Sequence, residues 1–123
     1  MQNNTTCECT KIIRPWGYYE TIYGDDYTGY KVKRIVVLPF KRLSLQSHDI
    51  RCEHWVIVSG KGKVQLHNES IVVEKDSYVY IPVKALHRIE NTEDIPLEFI
   101  ETQIGSYLGE NDITRYEDDY NRV

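Results

Sequence analysis

The sequence predicts an all-β domain folded as a single antiparallel sandwich or barrel. Its 123 residues, 41% of them hydrophobic, suffice for one hydrophobic core and are too few for a second catalytic module. Ten tyrosines and many valines and isoleucines favour strands, because aromatic and β-branched side chains fit a pleated surface well. Short apolar runs separated by turn formers also recur along most of the chain.

The first two predicted strands, residues 18–23 and 30–38, form a hairpin. Gly24, Asp25 and Asp26 lie between them and are turn formers. Further short strands are predicted at residues 42–48, 54–59, 63–67, 71–74, 77–81, 87–91 and 97–103. Turn signals such as Gly60 and Pro82 separate them, and this regular short spacing is typical of an antiparallel sandwich or barrel.

The two ends of the chain differ from this pattern. Residues 1–12 are predicted to be a flexible leader, and residues 13–123 to form the domain. From Gly105 the sequence is rich in acids and tyrosine without clean periodicity. We expect an irregular tail that packs on the barrel, since Tyr107, Leu108 and Ile113 provide apolar surface.

Charge and hydropathy exclude several classes of partner. A net charge of −4 and the absence of a Lys/Arg run give no electrostatic reason to bind nucleic acid. No apolar run approaches the length of about 20 residues that spans a bilayer. The first residues are polar and lack the layout of a signal peptide, so a cytoplasmic location is expected.

The densest polar cluster, residues 44–55, lies between two apolar runs. Because side chains alternate along a strand, Gln46 and His48 should share one face. A tight return would bring Glu53 beside them, which makes a nitrogen and oxygen set suited to a divalent transition metal. His87, at the start of a later strand, could take a fourth position, although a lone histidine there is more often an ordinary side chain.

The spacing of these residues resembles the paired motifs of the cupin superfamily. In chain order the matching positions are Gln46, His48, Glu53, Gly60, Asp76, Pro82, Lys84, His87 and Asn91. Cupins often have glycine at the positions of Asp76 and Lys84. The resemblance implies a single cupin barrel, a double-stranded β-helix or jelly roll. It also implies that Gln46, His48, Glu53 and His87 bind one divalent metal, zinc first, with cobalt, manganese, iron or nickel as alternatives.

Longer segments resemble one family more closely. RPWGYYE at 14–20, RLSLQSH at 42–48, YIPVKALHRIEN at 80–91 and the run from residue 96 to 122 are similar to the C-terminal domain of type II mannose-6-phosphate isomerases. The resemblance implies a metal-dependent aldose–ketose isomerase that interconverts mannose 6-phosphate and fructose 6-phosphate for GDP-mannose synthesis. The sequence departs from the family at two places. Asp49 and Ile50 stand where the family often has histidines, and Asn121 stands where it usually has glycine.

In that family the domain is commonly fused behind a mannose-1-phosphate guanylyltransferase. This sequence lacks the Gly-rich nucleotide loop that such a domain would need, so nucleotidyl transfer is not expected of it. Two other functions stay open. One is a cupin acting on another, nucleotide-linked sugar, and the other is a non-catalytic sugar-binding cupin that partners a separate guanylyltransferase. A homodimer is expected, because a second copy would cover an exposed edge strand.

The implied reaction moves a proton between C1 and C2 of the sugar through an enediolate, so the site needs a base and an oxyanion stabiliser. Glu110 is the candidate base, with Lys33 and Glu101 as alternatives. Arg115 is the candidate for stabilising the enediolate or binding phosphate through two N–H groups. Residue type suggests all of these candidates, and Arg115 also matches a family position in the tail.

Two further cations are candidates for binding the substrate phosphate. Arg42 shares the strand parity of the metal ligands, and Arg51 lies at the turn beside them. Arg88 should point away from His87 because the two are adjacent on a strand. Trp55 should face inward, where a tryptophan is more often part of the core than a platform for a sugar.

Overall fold

The computed structural model describes residues 10–122, and within that range it contains strands and no helix. The strands are β1 (Lys11–Arg14), β2 (Gly17–Tyr23), β3 (Tyr30–Val37), β4 (Leu45–Ser47), β5 (Cys52–Ser59), β6 (Lys61–Leu66), β7 (Glu69–Glu74), β8 (Tyr78–Ile81), β9 (His87–Asn91), β10 (Leu97–Ile104) and β11 (Thr114–Glu117). No helix in the described part of the chain is long and apolar enough to cross a membrane. The cytoplasmic location stays a prediction.

The strands form two antiparallel sheets that face each other. One has the order β1-β2-β3-β10-β5-β8 and the other β11-β4-β9-β6-β7. Strands that are far apart in sequence therefore lie side by side, as β3 and β10 do over eight paired positions. The fold is an all-β cupin barrel, which confirms the predicted fold class.

The core fills the space between the sheets because alternate side chains of each strand point inward. In β10, Leu97, Phe99, Glu101 and Gln103 are buried while the residues between them are partly exposed. The apolar members of the core cluster include Ile35, Val37, Trp55, Ile57, Val64, Ile81, Ile89, Leu97 and Phe99. Polar residues occupy inward positions toward one end, and those positions form the site described below.

The structure differs from the predicted elements mainly at the ends and before the metal motif. Lys11 and Ile12, assigned to the leader, belong to β1 and pair with β2, while residues 1–9 lie outside the described range. The tail is not wholly irregular, because β11 pairs with β4. The predicted strand at 42–48 is shorter, since only Leu45–Ser47 forms β4. These short strands show too few alternations to be recognised by periodicity.

Several residues hold the left-handed backbone conformation that glycine adopts most easily. Gly60 has φ of 88°, and a Cβ there would lie 2.6 Å from the Pro96 carbonyl oxygen. Asp76 and Lys84, where cupins often have glycine, have φ of 74° and 70°. Asn121, which replaces a usual glycine, has φ of 60°. The resemblance thus identified positions where the backbone requires an unusual conformation.

Candidate metal centre and its cavity

Three predicted ligands, His48, Glu53 and His87, meet between the two sheets. Glu53 comes from β5 of one sheet, His87 opens β9 of the other, and His48 follows β4 directly. One potential ligand atom from each lies within 4.8 Å of the others, and all three residues are buried. The closest pair is His48 Nε2 and Glu53 Oε2 at 3.1 Å, while His87 Nε2 is 4.0 Å from Glu53 Oε1.

The other ring nitrogen of each histidine is fixed by a backbone carbonyl. His48 Nδ1 lies 2.7 Å from the Asp112 carbonyl oxygen, and His87 Nδ1 lies 2.9 Å from that of Ala85. A carbonyl can only accept, so each Nδ1 carries the proton and donates it. In its neutral form each ring presents the Nε2 lone pair to the centre, the arrangement typical of metal-binding histidines. These residues fit a divalent metal.

Glu53 is kept ionised by its neighbours. Arg51 Nε donates to Glu53 Oε2 at 2.8 Å, and Trp55 Nε1 donates to Oε1 at 2.9 Å. Burial raises the pKa of Glu53, but Arg51 and His48 outweigh burial and hold the pKa well below its usual range. Glu53 is therefore ionised at neutral pH and could serve as an anionic ligand. Its contact with Trp55 was not foreseen from the sequence.

The pKa values of the two histidines shift in opposite directions. Burial lowers the pKa of His87 below its usual value. Burial acts in the same direction on His48, but the hydrogen bond and the negative charge of Glu53 together outweigh burial and raise the pKa of His48. A metal would therefore compete with a proton mainly at His48.

Gln46, the fourth predicted ligand, lies beside this group. It pairs directly with His87 between β4 and β9, and both residues line the same cavity. Its amide nitrogen lies 3.0 Å from Ser44 Oγ and 3.2 Å from the Ser44 carbonyl oxygen. This contact leaves its carbonyl oxygen as the atom available for a ligand role, which stays a prediction.

The loop between His48 and Glu53 is held by Asp112 in the tail. Asp112 Oδ1 accepts the backbone N–H of Asp49 at 2.9 Å, and Oδ2 accepts that of Ile50 at 3.1 Å. The side chains of Asp49 and Ile50 are exposed. The loop thus keeps its shape through backbone bonds, although it lacks the histidines that the family often has there.

The metal centre opens into a cavity of about 770 Å³, including the space at its mouth. Its lining comprises Arg14, Trp16, Tyr19, Lys33, Ile35, Leu43, Ser44, Gln46, Arg51, Glu53, Trp55, His87, Arg88, Ile89, Glu101, Glu110, Ile113, Arg115 and Arg122. Two of the three candidate metal ligands, Glu53 and His87, therefore line the same concave site as several other polar side chains. Small-molecule sites generally combine a cavity with a few polar groups in this way.

Sequence comparison places this site in a known family. The family model described as "Mannose-6-phosphate isomerase C-terminal" matches residues 1–118. The chain belongs to this family. Xanthan biosynthesis protein XanB of Xanthomonas campestris pv. campestris is 47% identical over 113 residues, covering 92% of this chain and 24% of XanB.

Two other relatives give the same picture. Alginate biosynthesis protein AlgA of Pseudomonas aeruginosa is 46% identical over 114 residues, covering 92% of this chain and 23% of AlgA. Mannose-1-phosphate guanylyltransferase ManC of Salmonella typhimurium is 45% identical over 113 residues, with coverage of 92% and 23%. The chain thus spans about a quarter of the length of these curated relatives.

Solved structures with low sequence identity share the fold. Capsular polysaccharide assembling protein CapF from Staphylococcus aureus superposes with a TM-score of 0.76 at 21% identity, covering 91% of this chain and 33% of CapF. The cupin-2 domain Rru_A2000 from Rhodospirillum rubrum gives a TM-score of 0.72 at 14% identity, covering 91% of this chain and 84% of that domain. These likenesses support the cupin fold alone.

In this member of the mannose-6-phosphate isomerase C-terminal family, the candidate acid–base residues lie in the cavity. Lys33 Nζ is 2.6 Å from Glu110 Oε2 and 4.0 Å from the centre of the Tyr19 ring. Burial raises the pKa of Glu110, but Lys33 outweighs that effect and lowers it. Lys33 and Glu110 therefore form an ion pair.

Glu101 is the more strongly perturbed carboxyl group. It lies on β10, is almost fully buried, and accepts a hydrogen bond from Gln103 Nε2 at 2.6 Å. Burial, followed by the negative charge of Glu53, raises its pKa to about 7. A carboxyl group that titrates near neutral pH inside a cavity is suited to proton exchange.

The arginine candidates divide between cavity and surface. Arg115 lines the cavity, as does Arg51, whose Nε is bonded to Glu53. The expected inward orientation of Arg42 is wrong: it precedes β4, is absent from the cavity lining, and forms two hydrogen bonds with Asp119. Arg88 borders the cavity and is bonded to the Leu43 carbonyl oxygen and to Glu117.

Proposed function

We propose that this domain is a metal-dependent isomerase that interconverts mannose 6-phosphate and fructose 6-phosphate. The observation that carries the proposal is the buried group of His48, Glu53 and His87, of which Glu53 and His87 line a cavity that also contains Glu101 and Glu110. Membership of the mannose-6-phosphate isomerase C-terminal family supports the same substrate class.

The proposed chemistry divides between a metal and the side chains around it. A bound divalent metal, zinc in our proposal, would act as a Lewis acid toward the substrate oxygens. Glu53 contributes one negative charge to the ligand set, so the site keeps a net positive charge that favours an enediolate. Arg51 and Trp55 hold both carboxylate oxygens of Glu53 in place.

The proton is carried by a glutamate that faces the cavity. Glu110 is ionised through Lys33, and Glu101 has a pKa near neutrality. We retain Glu110 as the proposed base because its side chain is half exposed, which lets it reach a bound sugar. Glu101 has the better matched pKa, so the two residues need to be separated by experiment. Arg115 is proposed to stabilise charge on the substrate.

The decisive experiment is an assay of mannose 6-phosphate turnover on protein stripped of metal and reloaded with zinc, cobalt, manganese or magnesium. We expect turnover that depends on the metal and is lost in His87→Ala, while Lys63→Gln, on the exposed side of β6, retains it. Replacing the true base with glutamine, in Glu110→Gln or Glu101→Gln, should lower kcat by about 100-fold or more. Metal binding without turnover under every loading would contradict the proposal.

A second candidate function is suggested by the relatives. One of them is named a mannose-1-phosphate guanylyltransferase, and this chain matches only 23% of it. The domain would then bind a sugar phosphate without converting it and would act beside a guanylyltransferase. Stabilisation of the metal-loaded protein by mannose 6-phosphate, with no fructose 6-phosphate formed, would favour this function.

We also propose that the domain forms a homodimer. Within residues 10–122, both sheets end in edge strands, β1 and β8 in one and β11 and β7 in the other, which pair with another strand on one side only. A second copy could cover one of these edges. The mass in solution, measured by light scattering after size exclusion, would be about twice that of the chain. A monomeric mass at micromolar concentration would contradict the proposal.

A further inference from the structure

The charge inside the cavity is opposite in sign to that of the whole chain. The chain carries a net charge of −4, yet the cavity lining includes six Lys or Arg residues and three Glu residues. The three glutamates gather around the metal centre with Lys33 and Arg51. The remaining arginines come from β1, β9, β11 and the segment after β11. Because Arg88 is paired with Glu117 and Arg122 with Asp118, the positive charge left without an ion-pair partner among residues 10–122 is that of Arg14 and Arg115.

Arg115 lies on a line of inward residues that crosses the second sheet. In the pairing of β11, β4 and β9, Arg115 is opposite Gln46, and Gln46 is opposite His87. All three line the cavity. Because neighbouring strands are about 4.8 Å apart, the backbones at Arg115 and His87 are separated by roughly 10 Å. A phosphorylated hexose can bridge a gap of this size between a guanidinium and the metal centre.

Arg115 has unused hydrogen-bonding capacity at this place. Its Nε is buried and has no hydrogen-bond partner among the described residues. Within residues 10–122 it takes part in no ion pair, whereas Arg122 is paired with Asp118. Burial lowers the pKa of Arg115, the positive charge of Arg122 lowers it further, and the negative charge of Asp118 acts in the opposite direction. A buried N–H of a guanidinium that has no partner is stabilised by an anion that accepts from it.

We propose that Arg115, with Arg14 and Arg122 beside it, forms a subsite for the phosphate group of a sugar monophosphate, separate from the metal centre. The inference rests on the proposed function, since it assigns the two ends of the substrate to two parts of one cavity. The phosphate would lie against β11, and the carbonyl end of the sugar would lie over His87. Arg115 is in this sense a binding residue that positions the substrate.

The positive charge of the subsite favours a sugar that carries a phosphate monoester over a sugar linked to a nucleotide. A monoester carries close to two negative charges at neutral pH on three terminal oxygens, which several guanidinium groups can share. The internal phosphates of a nucleotide-linked sugar carry one charge each and fewer free oxygens. The cluster therefore separates the leading function from the alternative of a nucleotide-linked substrate.

The test is calorimetric titration of inorganic phosphate into the metal-free protein, with chloride of equal ionic strength as the reference. We expect saturable binding at one site, weakened about 10-fold to 100-fold in Arg115→Gln. Lys63→Gln, which removes the same charge at an exposed position outside the cavity, should leave the affinity within about twofold. Equal losses in both variants, or no saturable binding by the native protein, would overturn the subsite.

A second measurement separates the subsite from the isomerase reaction. Turnover of mannose 6-phosphate in Arg115→Gln should show a raised KM, and inorganic phosphate should inhibit the native enzyme competitively but not the variant. If no protein turns over substrate but phosphate still binds through Arg115, the isomerase proposal fails and the subsite stands. An unchanged KM in the variant would overturn the subsite even in an active enzyme.

A third variant guards against loss of folding. Arg115→Lys keeps the charge but replaces the planar group that bonds two oxygens at once. It should bind phosphate with an affinity between those of the native protein and Arg115→Gln. An affinity of Arg115→Lys equal to that of Arg115→Gln, with native-like unfolding transitions for both, would contradict a role for the charge.

Discussion

The imidazole of His48 donates from Nδ1 to the backbone carbonyl oxygen of Asp112, 64 residues later in the chain, at 2.7 Å. The side chain of the same aspartate accepts the two backbone N–H groups that follow His48. The tail thereby orients a metal ligand and holds the loop that carries it. Groups that orient metal ligands commonly change affinity about 10-fold to 100-fold when removed.

Replacing Asp112 with alanine should therefore weaken both folding and metal binding. Two partly buried backbone N–H groups lose their acceptor, so the free energy of unfolding should fall by about 1 kcal/mol. Zinc affinity, measured by competition with a chelator, should fall about tenfold. Asp49→Ala is the control, since its side chain is exposed. Unchanged zinc affinity in Asp112→Ala would show that the contact serves folding alone.

Restoring histidine at the two positions where the family often has it should change little. Asp49 and Ile50 have exposed side chains, and the loop is fixed through their backbone. For Asp49→His and Ile50→His, singly or together, the free energy of unfolding should change by less than about 0.5 kcal/mol. Turnover of mannose 6-phosphate should not increase. A marked gain in kcat would show that side chains at this loop reach the substrate.

Metal should stabilise the protein through His87. At zinc concentrations about 100 times the dissociation constant, binding to the folded state alone adds about 2.7 kcal/mol to the free energy of unfolding. This increase, followed as a rise in Tm, should disappear in His87→Ala. It should persist in His67→Asn, because His67 is exposed outside the cavity and asparagine tolerates its φ of 52°. Equal stabilisation of both variants would exclude His87 as a ligand.

The stability of the metal-free protein should depend on pH through Glu101. Its pKa is raised from 4.5 to about 7 in the folded state, so folding favours the protonated carboxyl group. That stabilisation is complete below about pH 4.5 and is lost as the pH rises through 7. It amounts to up to about 3 kcal/mol. Glu101→Gln keeps an oxygen for Gln103 Nε2 and should not show this loss.

The measurement compares the two proteins by urea unfolding between pH 4.5 and pH 8. Subtracting one free energy from the other removes the contributions of titrating groups that the substitution leaves unchanged. The difference should grow in favour of Glu101→Gln as the pH rises. A difference that is constant with pH would mean that Glu101 is ionised throughout in the folded protein.

Lys84 offers a test of the backbone conformation beside the metal loop. Its φ of 70° is unfavourable for a residue with a Cβ, and its N–H donates to the His48 carbonyl oxygen at 2.7 Å. Lys84→Gly should raise the free energy of unfolding by about 0.5 to 1 kcal/mol, because relief of strain exceeds the entropy lost by glycine. Lys75 lies at an exposed turn position and does not have a positive φ, so Lys75→Gly should lower the free energy of unfolding. Destabilisation of both would contradict the prediction.

Much of the site could be predicted because its signals are local. Gln46, His48 and Glu53 fall within eight residues, and strand alternation places the first two on one face. The strand that contains Glu53, β5, is eight residues long and its alternation can be recognised. The contribution of Asp112 could not be predicted, because it uses its own carbonyl oxygen and binds the backbone N–H groups of Asp49 and Ile50, and neither interaction leaves a residue pattern in the sequence. The inward orientation expected for Arg42 was wrong, since β4 begins only at Leu45.

Composition and periodicity determined the fold class, because short alternating runs and turn formers constrain each strand separately. The motif spacing determined which side chains could bind a metal. Only the tertiary structure decided that β11 lies beside β4, that Arg115 lines the same cavity as His87, and that burial and the nearby charge of Glu53 raise the pKa of Glu101. These relationships join residues far apart in sequence, and the energies of burial and charge that they create depend on distances that only packing fixes.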